Sequence, residues 1–581
     1  MSEHGVQFVR DFAALAAPAA TATVTYRSTG RCLVIAAPGE LERALGCVAR
    51  LPALGCTVVE PGAAASDGRI DKRLTETGTA VLGVESVDAP QGHLGAFAVH
   101  ARTGAEASAD LAAAAGAEGD RFDLVLDLGP VPATLHRVPP PGYRHVPPDA
   151  DEAALAEALE HLDALVGEFD KPTYFEYRAE RCAHSRSGLA GCTRCLDVCA
   201  TGAIGSAGDG VRVDPYLCQG CGTCATRCPS GAMVYAWPRP KDAIARTREL
   251  LGAADGRIST IVLHEERHAP VVAAALGTDA TGAGAGARAA TLDLEVEAVA
   301  AYGLDWWLAA IAAGARRLVL VDDSAPDSPD RLALEEQGRY LHALLGAAGV
   351  PGRALEPVRS EALADALAAP PGLPEGLGGP AFAVSDDKRR TIRDALDTLA
   401  SRAPGAAPAA VSALPAGAPF GRIRVDVDAC TLCMACVSTC PAGSLLDGQD
   451  RPALRQIEAS CVQCGLCERA CPEDAISLET RWVADPVEAR RTVTLHEEEP
   501  FHCVRCHKPF ATRGIIDTML AKLSGHWMFS DEAALRRLKM CEDCRVKDLF
   551  EAEAAGIDVH RGPPGGSAGG PPDEPPSGGR S

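Results

Sequence analysis

Aromatic residues make up only 4% of the 581 positions, too few for a broad base-stacking platform on single-stranded nucleic acid. Basic runs are missing as well. The chain has 56 Lys and Arg against 78 Asp and Glu, a net charge of −22, which argues against nucleic acid or an anionic membrane as partner. No apolar stretch reaches the length of about 18 residues needed to span a bilayer, so no membrane insertion is expected. Phe12–Val24 imitates a signal peptide, but Glu3, His4, Arg10 and Asp11 replace a basic leader and there is no twin arginine. The expectation is a leader feeding the first strand of a cytoplasmic protein. No Gly-x-Gly-x-x-Gly follows a strand, so a dinucleotide site is not supported. Cysteine is absent from 229 to 429, yet the chain holds 23. In a reducing compartment these are metal ligands or catalytic thiols before they are disulfides.

Three cysteines are isolated (Cys32, Cys47, Cys56) and read as small buried hydrophobes. The other twenty form groups of eight, eight and four. The second group is the most regular. Cys430, Cys433, Cys436 and Cys440-Pro441 are followed by Cys461, Cys464, Cys467 and Cys471-Pro472. This is the C-x2-C-x2-C-x3-C-P run of bacterial ferredoxins, twice over. The x2 steps aim three thiolates from one tight loop at three irons of a cubane, and the fourth cysteine reaches the other cluster. The spacing therefore assigns Cys430, Cys433, Cys436 and Cys471 to one 4Fe-4S cluster, and Cys461, Cys464, Cys467 and Cys440 to another. Zinc sites do not use paired, interleaved runs of this kind.

The first group repeats the unit with one half altered. Cys218, Cys221, Cys224 and Cys228-Pro229 form a regular run, but its mate has only Cys192, Cys195 and Cys199, with Ala200 in place of proline. Cys182 lies upstream of Cys192 with nine residues between them and can loop back as the missing ligand. This predicts one cluster on Cys182, Cys192, Cys195 and Cys228, and another on Cys218, Cys221, Cys224 and Cys199. His184, inside the insertion, is the substitute if Cys182 is not used.

The last group, Cys503, Cys506, Cys541 and Cys544, is two C-x2-C knuckles separated by 34 residues, with helix-like content at Gly514–Leu523 and Asp531–Met540. One structural zinc on all four thiolates is the first choice, with a fifth iron–sulfur centre as the alternative. His502 and His507 flank the first knuckle as bystanders.

The cysteine-poor regions alternate strand and helix. Strands are expected at Arg31–Ala37, Cys56–Glu60, Ala96–His100, Phe122–Leu128, Thr260–His264 and Arg317–Val321. Helices are expected around Glu40–Leu51 and, amphipathic with Trp306 and Trp307, over Val296–Ala313. The glycine-rich Gly277–Ala290 lacks the Lys-Ser/Thr of a phosphate loop and reads as a turn. Asp322, Asp323 and Ser324 lie at a strand end where open sheets bind ligands, but a solvated loop is the simpler reading. The fold class is a mixed α+β and α/β multidomain protein. Its expected parts are an α/β domain with a proline-rich connector (1–150), a ferredoxin-like domain with two 4Fe-4S clusters (151–240) and a second α/β domain (241–402). An Ala/Pro linker (403–420), a second ferredoxin-like domain (421–485), a small zinc-knuckle-like domain (486–556) and a disordered tail (557–581) complete it.

The two octets resemble bacterial two-cluster ferredoxins. The segments CTRCLDVCATGAI, EVEAVAAYGLDWWLAAIAAGARRLVLVDD and KMCEDCRVKDLF also resemble the large 4Fe-4S binding proteins found beside bacterial formate dehydrogenases, over roughly residues 170–550. The middle domain is faintly similar to the small delta subunit of hydrogenases linked to heterodisulfide reductase. Its small-cluster cysteines have no counterpart here, since 229 to 429 holds none. The resemblance implies an electron-carrier subunit without a catalytic site of its own, relaying electrons for a redox partner such as a formate dehydrogenase subunit. The alternatives are an assembly or redox-sensing accessory factor, or an oxidoreductase with a flavin site in 241–402.

Overall fold

The computed structural model describes residues 21–557, apart from 65–68, 104–106, 117–119, 278–289, 380, 381, 405–408, 450, 527, 528 and 530. Most of the leader, most of the glycine-rich segment and the C-terminal tail lie outside the described residues. The chain divides into two compact units, the second beginning at Ala416 apart from the short stretch Leu189–Gly191.

In the first unit, alternation of apolar side chains builds a six-stranded sheet in the order Tyr143–His145, Leu124–Asp127, Arg31–Ile35, Gly55–Pro61, Ala80–Val84 and Asp71–Leu74. Its strands are parallel except for the last, which is antiparallel to Ala80–Val84. Cys32 and Val34 point into one core and Leu33 and Ile35 into the other, as a two-residue period requires. Cys32 and Cys47 are buried, Cys56 half-buried. The helix Leu41–Ala49 covers the first face; Leu111–Ala115 covers the second, with Phe97 and Phe122. The expected strand at Ala96–His100 is instead an isolated bridge, Phe97 to Phe122, followed by a strand at His100–Thr103.

The boundary drawn at residue 150 falls inside a shared core. The helix Glu152–Asp163 packs Leu155, Ala158, Leu159 and Leu162 against the sheet, and Gly167–Pro172 pairs antiparallel with Thr23–Ser28. The α/β fold thus needs residues beyond its connector to cover its first face.

A second, four-stranded parallel sheet has the order Thr291–Glu295, Thr260–His264, Arg317–Val321 and Leu355–Val358. The expected helix over Val296–Ala313 is shorter and not amphipathic. A 3-10 turn at Val299–Ala301 precedes the helix Leu304–Ala312, and all nine residues of that helix are buried. The helices Pro240–Ala253 and Lys388–Ala400 both pack on it, leaving no solvent face. Gly303 sets its start, because a Cβ there would lie 2.8 Å from the Thr226 side chain. Trp306 and Trp307 are core residues, and the Trp306 indole donates to Thr247 Oγ1 at 3.1 Å. The carboxylates after Arg317–Val321 order their own loops. Asp322 accepts from the Ser324 amide, and Asp323 from both the amide and hydroxyl of Ser360.

Between these sheets, Phe175–Tyr177 pairs with Met233–Tyr235, and Ile204–Ala207 forms a hairpin with Gly210–Val213. Short helices at Arg194–Asp197 and Thr223–Arg227 complete the motif.

The second unit repeats this plan. Gly421–Val425 pairs with Ile476–Val483 and Leu445–Leu446 with Ala453–Ile457, around helices Ala435–Thr439 and Leu466–Arg469. Two expected boundaries shift. The end of the linker is core, since Phe420 is buried edge-on against Trp482. Thr492–Glu497, placed with the four-cysteine domain, instead adds a third strand beside Ala453–Ile457. A hairpin (Pro500–His502 with Pro509–Thr512) and helices Arg513–Leu523, Glu532–Leu538 and Glu542–Ala554 follow.

Candidate metal centres

The tight loops that present the cysteines share a backbone device. The residue before and the residue after the second cysteine of each regular run adopt positive φ: Gly220 and Gly222, Leu432 and Met434, Gln463 and Gly465. For Leu432, Met434 and Gln463 this conformation costs free energy, so the surrounding fold must hold it. The result folds each loop around its sulfurs. Amides and side chains then turn inward: the Ala475 amide donates to Cys471 Sγ at 3.3 Å, the Met233 amide to Cys228 Sγ at 3.3 Å, and Gln463 Nε2 to Cys461 Sγ at 3.3 Å.

In the second unit, Cys430, Cys433, Cys436 and Cys471 line one cleft of about 320 Å³. Cys440, Cys461, Cys464 and Cys467 line another of about 350 Å³. Burial and the neighbouring thiols Cys433, Cys430 and Cys471 push the Cys436 thiol up to about 12. Burial and Cys461, Cys464, Cys440 and Cys436 push Cys467 up in the same way. Each set is a ring of mutually repelling anions once deprotonated, and only a cationic centre in the cleft relieves that repulsion. Soft thiolates in fours suit iron–sulfur clusters or a single thiophilic ion.

In the first unit, Cys182, Cys192, Cys195 and Cys228 line a cleft of about 350 Å³ that also includes His184. Cys195 is pushed up to about 12 by burial and by Cys228, Cys192 and Cys182. His184 is committed elsewhere: its Nδ1 pairs with the Cys192 carbonyl at 3.0 Å and its Nε2 with Ser206 Oγ at 2.8 Å. Cys224 is raised by burial and then by Cys221, Cys218, Cys199 and Cys195, which places Cys199 beside the regular run. In each unit one set thus feels a thiol of the other, Cys195 on Cys224 and Cys436 on Cys467, so the two sets are near neighbours.

Three residues at these sites carry no signal in the cysteine spacing. Gln463 lies within its run, and Tyr177, upstream of Cys182, lines the cleft of Cys182, Cys192, Cys195 and Cys228. Asp330, at the start of helix Pro329–Ala347, reaches the Cys221 loop only through packing. It accepts the Thr223 hydroxyl, and burial raises its own pKa.

The C-terminal cysteines have a different geometry. The sulfurs of Cys503, Cys506, Cys541 and Cys544 all lie within 4.8 Å of one another, with Cys506 and Cys541 at 3.6 Å. Zn–S bonds of about 2.3 Å put the sulfurs of a tetrahedron about 3.8 Å apart. Four thiolates this close fit one ion. In a cubane each would bind a different iron, across the width of the cluster. Burial raises Cys503, but backbone amides of Cys506, Cys541 and Arg505 outweigh it and bring the thiol down to about 6. His502 and His507 are exposed and stand outside the group.

Comparison with known proteins agrees with this chemistry. The 4Fe-4S dicluster domain family matches residues 418–476 and again residues 190–232. The first match contains all eight cysteines of its octet, whereas the second begins after Cys182. Ferredoxin-1 of Caulobacter vibrioides is 40% identical over 63 residues, which are 10% of this chain and 54% of that ferredoxin. The chain therefore spans about half the length of this curated relative. The chain thus carries two ferredoxin-type 4Fe-4S dicluster domains. No helix among the described residues is long and apolar enough to cross a membrane.

Proposed function

We propose that the chain is a cytoplasmic electron relay with four 4Fe-4S clusters and one structural zinc, passing electrons for a formate dehydrogenase-like redox complex. The observation that carries it is the convergence of sixteen cysteines into two pairs of adjacent sets. Cys182, Cys192, Cys195 and Cys228 would hold one cluster and Cys199, Cys218, Cys221 and Cys224 its neighbour. Cys430, Cys433, Cys436 and Cys471 would hold the third, and Cys440, Cys461, Cys464 and Cys467 the fourth. Each cluster supplies one-electron exchange with little rearrangement.

The chain's own part is to hold the thiolates and tune them. Amide and Gln463 donors to sulfur stabilise added negative charge, and burial opposes it. Cys182 is supported over His184 as the fourth ligand of its set, because both His184 nitrogens are already hydrogen-bonded. Zinc is supported at Cys503, Cys506, Cys541 and Cys544 by their spacing around a single point. The formate link rests on the sequence resemblance. Its test is anaerobic reduction of the purified chain. The visible iron–sulfur absorption should bleach when formate and the dehydrogenase are both added, and not with formate alone. Persistence of the oxidised spectrum with both present would rule that partner out.

A further inference from the structure

The proline-rich connector lies over one of the cysteine sets. The Val138 amide donates to the Ala200 carbonyl at 3.1 Å, and Gln219 Nε2 donates to the Pro139 carbonyl at 2.8 Å. Ala200 and Gln219 each follow a cysteine of the same set, Cys199 and Cys218. The His136 ring rests so closely on Gly202 that a Cβ there would be 2.4 Å from it. The connector is thus pinned within one residue of two proposed ligands of one cluster.

What it shows to solvent is unusual for a loop in so acidic a chain. Leu135 is 83% exposed, Val131 72% and Val138 39%. No acidic residue occurs from Leu128 to Pro148, and Arg137 is exposed on the connector. Its guanidinium makes no ion pair among the described residues. An apolar centre beside an unpaired cation, next to a redox centre, has the composition of a small transient protein interface. The net charge of −22 repels an acidic protein from the rest of the surface, so an acid-free patch carrying Arg137 would also orient its approach.

We propose that the Val131–Pro139 face is the docking surface for a small acidic electron-carrier protein, which exchanges electrons with the cluster on Cys199, Cys218, Cys221 and Cys224. The inference rests on the cluster assignment above. In the exchange the carrier's reduced centre loses one electron and the oxidised cluster gains it; no bond forms or breaks.

The test uses the full reconstituted chain and a reduced acidic two-cluster bacterial ferredoxin as probe, mixed in a stopped-flow instrument. The second-order rate should fall as salt rises, and the double variant Leu135→Asp, Arg137→Glu should slow it at least tenfold, on the order expected for lost steering. Reduction of the same variant by dithionite, and its iron content, should match the wild type. An unchanged rate in the variant, no reaction of the wild type, or a rate indifferent to salt would overturn the docking surface. Failure of the cluster assignment would register separately, as iron missing from the wild-type chain before any mixing.

Discussion

Replacing Cys541 with Ser should empty the C-terminal site and unfold the surrounding module while leaving the iron content intact. The reason is the smallness of its core. Among the described residues, that core is Cys503, Met540, Cys541 and Cys544, with Phe510 packed against it. Three of the four buried members are proposed metal ligands, so little apolar surface remains to hold the hairpin and helices together. A structural zinc contributes about 10–16 kcal/mol in apparent binding free energy in small zinc modules, which far exceeds what such a core supplies. Metal analysis should show zinc lost, and limited proteolysis should show new cleavage between residues 500 and 557. Iron lost in step with the mutation would instead mean that the site holds a fifth cluster. A module that stays protease-resistant without metal would contradict the structural role.

Cys182→Ser should remove between one and about four irons per chain, whereas His184→Ala should remove none. The Cys182 side chain faces the same cleft as Cys192, Cys195 and Cys228, and His184 already spends both ring nitrogens on Cys192 and Ser206. The hydrogen bond to the Cys192 carbonyl gives His184 a positioning part in the loop, so its loss should loosen the site without vacating it. Iron and sulfide assays after identical reconstitution of both variants measure this. The reverse pattern, with iron lost from His184→Ala and retained in Cys182→Ser, would reassign the ligand.

That Cys430, Cys433, Cys436 and Cys471 line one cleft and Cys440, Cys461, Cys464 and Cys467 another follows from spacing that is local in the sequence. Cys182 reaches the cleft of Cys192, Cys195 and Cys228 through a loop that folds back. The backbone that shapes the loops was half legible: Gly220, Gly222 and Gly465 advertise positive φ, but Leu432, Met434 and Gln463 occupy equivalent positions without any such signal. Tertiary burial overrode periodicity at Leu304–Ala312, where a helix packed by others on its flanks has no polar face to display. Domain boundaries were displaced for a related reason. Glu152–Asp163 and Thr492–Glu497 complete cores or sheets begun by distant segments, and nothing in their own composition says so. Asp330 was invisible because its place beside Cys221 depends on the packing of two domains 109 positions apart in the chain.

The number of clusters is read directly from iron and acid-labile sulfide per chain after anaerobic reconstitution, with EPR of the reduced form. Four occupied sets predict about sixteen irons, a matching sulfide count and spectra of magnetically interacting neighbours. A fully reconstituted chain holding about eight irons or fewer would contradict the four-cluster relay.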